Sequence, residues 1–286
     1  MTGFVGWSAN GVPYARLGGS GPPLVVITGS ELEHRPPTRT TRLGFRLGLP
    51  RLTRDFAVYL TSRRPDMPAG YSARDMSEDV AALVRSEIGD GPVHVMGMSS
   101  GGSSAMHLAV DHPDLVDRLV LAMTAHRLAE HGREVAGIWR DLALAGDWPA
   151  LYARMGVDVA EGAVPDAVVR IVMRLAGKSL LGTPCSGADF ATVLDSDVHL
   201  DVAGSLGRIA APTLVVGGEN DPFYGADNIT GTARLIPGAP LCLLRGGGHA
   251  VVKQRPRAFE TAVLEFLREG SATGARRSDG AAGATR

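Results

Sequence analysis

Cysteine is scarce in this chain: Cys185 and Cys242 are the only two in 286 residues. They lie far apart and lack metal-ligand spacing, so neither a disulfide framework nor a cysteine metal site is expected, and reduced thiols are. Lysine is nearly missing too, since all but Lys178 and Lys253 of the 29 basic residues are arginine. That bias reads as the codon usage of a GC-rich genome rather than as chemistry. Charge of one sign is also lacking. Thirty acidic residues against 29 basic ones leave a formal net charge of -1, with neither a basic footprint for nucleic acid nor an acidic tail. Apolar runs such as Leu24-Val25-Val26-Ile27 are far short of the roughly 20 residues a bilayer span needs. Residues 1–19 show no basic stretch followed by an apolar core, so no signal peptide is expected. These absences point to a soluble cytoplasmic protein with no membrane and no nucleic acid among its partners. No internal repeat is visible.

What is present is ordinary globular composition, 44% hydrophobic and 21% charged, with length enough for one α/β core and an inserted lid. Strand-length apolar runs recur at residues 24–27, 56–60, 93–96, 119–121, 212–216 and 241–244. Between them lie helical patterns at 73–88, 102–111 and 257–268, the last with Phe259, Val263, Phe266 and Leu267 at helical spacing. Aliphatic strands alternating with helices predict a mostly parallel, doubly wound sheet. The arginine-, proline- and threonine-rich stretch before residue 56 reads as a loop. Residues 125–200 break the rhythm with helical patterns at 138–144, 149–155 and 165–175 and no clear strand. A helical lid over the carboxyl ends of the strands is expected there. It would divide the core into 1–124 and 201–269, and residues 270–286, with almost nothing to bury, read as a disordered tail.

The chemistry centres on Gly97-Met98-Ser99-Ser100-Gly101-Gly102, a G-x-S-x-G directly after one strand run and directly before a helical one. A tight strand-to-helix turn needs the glycines, and it holds Ser99 strained and exposed with a helix amino end aimed at it. A plain Gly/Ser turn would look the same over five residues; the strand–helix context is what favours a nucleophile. A serine needs a base. Of eight histidines, His249 follows the last strand and the glycines 246–248, which allow an imidazole to reach over the sheet. His112 reads as a turn residue; His126, His131 and His199 fall in or near the insertion. The base needs an orienting carboxylate. Asp221, just past the run 212–216, completes the chain order Ser…Asp…His, with Glu219 and Asp227 as local competitors. The end of the run 119–121 carries no carboxylate. Backbone N–H groups of Ser100 and Ser30 are the expected oxyanion donors, with Gly29 permitting close approach.

These motifs together resemble the lid-bearing α/β-hydrolase fold from about residue 12 to 267. The resemblance includes Gly18-Gly19-Ser20-Gly21-Pro22-Pro23-Leu24, the elbow, His112-Pro113, the run Ile209 through Gly217, and Gly248-His249. It implies a serine esterase, lactonase or thioesterase acting on a small molecule through an acyl-enzyme, with no metal and no cofactor. Members often carry His-Gly where this chain has Thr28-Gly29; the histidine there is usually structural, so its absence does not exclude the triad chemistry. Serine rather than aspartate at position 99 argues against the haloalkane-dehalogenase and epoxide-hydrolase branches. Ile138, Trp139, Leu142, Trp148 and Met155 are candidate pocket walls, although packing on the core explains them equally. Glu31, Glu33 and His34 are candidates to meet a polar part of the substrate. The lid helices offer a homodimer surface. Tailoring of a secondary metabolite on the same triad, or ligand binding without catalysis, are the alternatives.

Overall fold

A computed structural model describes the backbone of residues 4–160 and 164–278, with side chains up to residue 269. Eight strands form one sheet: β1 (Val5–Trp7), β2 (Pro13–Gly18), β3 (Pro23–Ile27), β4 (Ala57–Thr61), β5 (Val93–Met98), β6 (Val116–Ala122), β7 (Thr213–Gly218) and β8 (Leu241–Leu244). Their order is β1-β2-β4-β3-β5-β6-β7-β8. The pairings of β2 with β1 and β4 are antiparallel and the rest are parallel. The helices are α1 (Arg39–Gly48), α2 (Pro50–Asp55), α3 (Ala73–Glu87), α4 (Ser100–Asp111), α5 (Glu130–Leu144), α6 (Trp148–Ala160), α7 (Asp166–Leu181), α8 (Gly187–Val198), α9 (Ala203–Leu206), α10 (Ala226–Leu235), α11 (Val251–Gln254) and α12 (Pro256–Ser278).

The central strands are aliphatic on both faces because both faces are covered. In β3, Val25 and Ile27 join one core with Val80 and Val84 of α3 and Met106 and Leu108 of α4. Leu24 and Val26 join the opposite core with Leu52 of α2 and Phe259, Val263 and Leu267 of α12. This two-residue period sends neighbouring side chains to opposite sides of the sheet. Helix α3 starts where Ser72 and Asp75 form a capping box, each side chain satisfying the other's backbone N–H.

Helices α5 to α8 lie between Glu130 and Val198, and β6 pairs directly with β7 across that excursion. Polar ties fasten them to the core. Cys185 N donates to Leu32 O (3.0 Å), Thr183 N to Glu33 Oε1 (2.7 Å), and the two Asp189 oxygens accept from Asp66 N (3.0 Å) and Met67 N (2.9 Å).

Three features depart from the sequence reading. Strands β1 and β2 form an antiparallel edge. The stretch before residue 56 is helical: Thr38 caps α1 through Thr41 N, and Pro50 opens α2. Helix α1 has no fully buried residue: Leu43 and Leu47 are exposed and Phe45 packs only partly against the core, so tertiary burial does little to mark it. Helix α12 runs on to Ser278, beyond the expected end of the core at 269, since extending a formed helix adds one hydrogen bond per residue fixed. The rest of the expected tail, 279–286, lies outside the described residues. Among those residues, no helix is long and apolar enough to cross a membrane.

Candidate active site

Ser99 sits between β5 and α4 with φ 51° and ψ -126°, a positive φ that side chains rarely adopt. Its neighbours explain the glycines around it. A Cβ on Gly97 would lie 2.5 Å from Ala105 Cβ, and one on Gly101 would lie 2.2 Å from Ile27 O and 2.4 Å from Thr28 O. The elbow therefore packs backbone to backbone against the end of β3. Gly101→Ala is expected to lower the unfolding free energy by about 3 kcal/mol in urea titration. Gly137 of α5, with nothing within 4 Å of its Cβ position, should accept alanine with a gain of up to about 1 kcal/mol. Equal effects at the two sites would contradict the packing described.

His249 is carried by the loop after β8. Gly218 at the end of β7 lies so close to that loop that a Cβ there would sit 2.3 Å from the carbonyl oxygens of Gly247 and Gly248. Asn220 N donates to Gly247 O (2.8 Å), joining the acid and base loops. The outcome is a continuous relay. Ser99 Oγ lies 2.9 Å from His249 Nε2, and His249 Nδ1 lies 2.9 Å from Asp221 Oδ2. The other Asp221 oxygen, Oδ1, accepts from Phe223 N (2.8 Å) and Tyr224 N (3.1 Å). The Asp221 side chain is wholly buried. Of its competitors, Glu219 accepts from Gly246 N (3.1 Å) instead, and Asp227 sits in the first turn of α10. Ring contacts extend the site: Phe223 lies 4.6 Å from the His249 ring, Tyr224 5.9 Å, and Trp139 5.6 Å from Phe223.

A family model described as alpha/beta hydrolase fold matches residues 53–146, and one described as TAP-like protein matches residues 174–278. The enol-lactonase of Burkholderia xenovorans LB400 superimposes with a TM-score of 0.74 at 21% identity, covering 92% of this chain and 99% of that one. The chain belongs to the α/β-hydrolase superfamily. Among curated relatives, the protein named "Putative carbamate hydrolase RutD" from Pseudomonas savastanoi pv. phaseolicola is 27% identical over 244 residues, 76% of this chain and 85% of that one. Polyketide synthase ThaQ of Burkholderia thailandensis is 33% identical over 185 residues, 63% of this chain but 9% of the synthase. By these relationships the chain is a hydrolase.

The remaining candidate residues of this α/β hydrolase take different places. Gly29 lies against the nucleophile, a Cβ there falling 3.2 Å from Ser99 Cβ, so Ser30 follows within the loop that passes Ser99. Ser100 is buried at the start of α4. Trp139 reaches the site through Phe223 and donates its indole N–H to Asp158 Oδ2 (2.8 Å). Leu142 is half-buried on the hydrophobic core. Glu33 is engaged with the Thr183 backbone, and its side chain also lies against Gly182. His34 is 1% exposed, with its Nδ1 3.9 Å from Asp189 Oδ2. Burial, helped by nearby Arg63, pushes its pKa down to about 4. Of the other candidate histidines, His112 meets Glu78, His126 meets Thr232 and His199 meets Asp195 O, while His131 is exposed in the first turn of α5. Among the described residues, no group of three or more His, Cys, Asp or Glu side chains is placed to hold a metal ion.

Residues that sequence reasoning missed lie behind the nucleophile. Arg63, just past β4, and Asp197, in the last turn of α8, are both buried. Asp197 Oδ1 accepts from Ser103 Oγ (3.0 Å). Burial pushes the Asp197 carboxyl up to about 6, opposed by Arg63 and by the hydroxyls of Ser103 and Ser100. The buried Tyr224 phenol is raised by burial and by Asp197, with Thr124 and Ser99 hydroxyls opposing. Between its unfolded pKa near 4 and about 6, Asp197 holds a proton in the folded state only. Its contribution to stability therefore rises as the pH falls through that window. His34 acts in the opposite sense between pH 6.5 and about 4, so the Asp197 effect must be read as a difference. Relative to Asp197→Asn, the parent is expected to gain about 2 to 3 kcal/mol of unfolding free energy between pH 7 and pH 4. A pH-independent difference in urea titrations would refute this.

Proposed function

We propose that this α/β hydrolase is a serine hydrolase that opens an ester-like carbonyl of a small molecule through an acyl-enzyme. The observation that carries this reading is the relay Ser99–His249–Asp221, with 2.9 Å at both links, on a nucleophile held at positive φ. Asp221 accepting from Nδ1–H leaves the Nε2 lone pair facing Ser99 Oγ–H, the tautomer a general base requires. Ser99 attacks the carbonyl carbon as its proton passes to Nε2. The oxyanion is received by the N–H groups of Ser30 and Ser100, the second lying at the amino end of α4. The imidazolium then protonates the leaving group, and the neutral ring activates the water that frees Ser99. Phe223 and Trp139 supply an apolar, aromatic side to the site. Ligand binding without catalysis would require neither the strained serine nor the aligned base.

A second reading concerns the acyl partner. The 33% identity to a short stretch of polyketide synthase ThaQ favours a thioester, or a tailoring step of secondary metabolism, on the same residues. The relative named as a carbamate hydrolase favours a carbamate. Labelling with a fluorophosphonate, followed by intact mass and peptide mapping, is expected to give one adduct on Ser99 and none on Ser99→Ala. Folded parent protein without an adduct would overturn the proposal. A panel of p-nitrophenyl esters, lactones, acyl thioesters and carbamates, ranked by kcat/KM, then selects the class.

A further inference from the structure

Two N–H donors of an oxyanion hole must stand still relative to each other, yet Ser30 and Ser100 belong to segments far apart in the chain. One side chain bridges them. Arg63, 5% exposed, donates from Nη1 to Thr28 O (2.8 Å) and to Gly29 O, and from Nη2 to Ser100 Oγ (2.8 Å). The Ser100 hydroxyl in turn faces Asp197, which also receives Ser103. Asp197 and Glu31 are the carboxylates whose charge faces the guanidinium, with the Tyr224 phenol beside them. Burying a guanidinium costs several kcal/mol, which packing alone does not require here. The geometry supplies a reason. A trans peptide is planar, with its C=O and N–H antiparallel. Gly29 O and Ser30 N belong to one peptide, so a guanidinium holding that carbonyl aims the Ser30 N–H the opposite way. Gly29 itself packs against Ser99.

We propose that Arg63 is the positioning residue of the oxyanion hole: its planar fork holds the Gly29–Ser30 peptide and Ser100 in one frame, balanced by Asp197 from α8. The inference rests on the serine-hydrolase reading above. It gives the Thr28-Gly29 loop a clamp from the segment just past β4 and links the donors to the inserted helices through Asp197. Lysine keeps the charge but cannot serve three acceptors from a rigid fork.

The test compares Arg63→Lys and Arg63→Ala with the parent, using p-nitrophenyl acetate and a trifluoromethyl ketone. For both variants, kcat is expected to fall about 10²- to 10³-fold with KM within a few-fold, as when one oxyanion donor is lost. Inhibition by the ketone, whose adduct carries the oxyanion, should weaken in parallel with kcat/KM. Guanidinium ion at non-denaturing concentration should restore activity to Arg63→Ala and not to Arg63→Lys. A purely structural role would instead lower Tm and the active fraction while leaving ketone affinity per active site unchanged. That outcome overturns the inference, as do variants with parental kcat. If Arg63→Ala does not fold, Arg63→Lys alone decides through kcat and ketone affinity. Parent protein unlabelled by fluorophosphonate removes the serine-hydrolase reading and this inference with it, whereas a labelled parent with insensitive Arg63 variants removes only this one.

Discussion

Ser99→Ala is expected to reduce kcat by about 10⁶-fold on any substrate the parent turns over, because the base and acid have no function without the oxygen they activate. The fold should survive. Alanine keeps the Cβ and the φ of 51° that the turn already imposes, and it loses the hydroxyl's 2.9 Å hydrogen bond to His249 and its contact with the Tyr224 phenol. Ser99→Gly should be equally inactive yet more stable than Ser99→Ala by about 1 kcal/mol, since glycine adopts positive φ without a Cβ clash. Activity and urea unfolding on the same two variants separate the nucleophile's chemistry from its strain. Residual turnover within 100-fold of the parent would place the attacking group elsewhere. A glycine variant no more stable than the alanine one would show that the backbone of Ser99 carries no strain.

How far the site could be read from the chain depends on the distance over which each residue acts. Ser99 was legible because the glycines at 97 and 101 answer to the backbone only a few residues and one strand away, a constraint that leaves a fixed spacing. The parallel strands were legible from their continuous aliphatic runs. Strands β1 and β2 were not, since the edge strand β1 is largely exposed and β2 includes Arg16, which breaks the apolar pattern. Arg63 and Asp197 left no trace either. A charged residue after a strand or in the last turn of a helix normally faces water, and the burial of these two depends on partners 34 to 94 positions away. Glu33 was legible as polar but not as a tie, because the backbone N–H it accepts from lies at Thr183. Phe223 and Tyr224 adjoin Asp221-Pro222, yet only the loop geometry turns their rings toward His249.

Asp221→Asn should cost about 10⁴-fold in kcat while leaving the fold nearly intact, for a reason specific to this loop. Asp221 Oδ1 accepts two backbone hydrogen bonds, from Phe223 N and Tyr224 N. An asparagine must keep its carbonyl oxygen there, because turning the amide would set an NH₂ against two N–H donors and leave both buried and unpaired. The amide nitrogen then faces His249 Nδ1, where the carboxylate oxygen stands now at 2.9 Å. Two donors cannot share that contact, so the imidazole gives up the proton on Nδ1 and carries it on Nε2. With Nε2 protonated, the ring can no longer accept the proton of Ser99. ¹⁵N NMR of His249 is expected to show Nδ1–H in the parent and Nε2–H in the variant, together with slow fluorophosphonate labelling. A variant that kept the Nδ1–H tautomer, or lost less than tenfold in kcat, would mean that Asp221 holds the loop rather than the base.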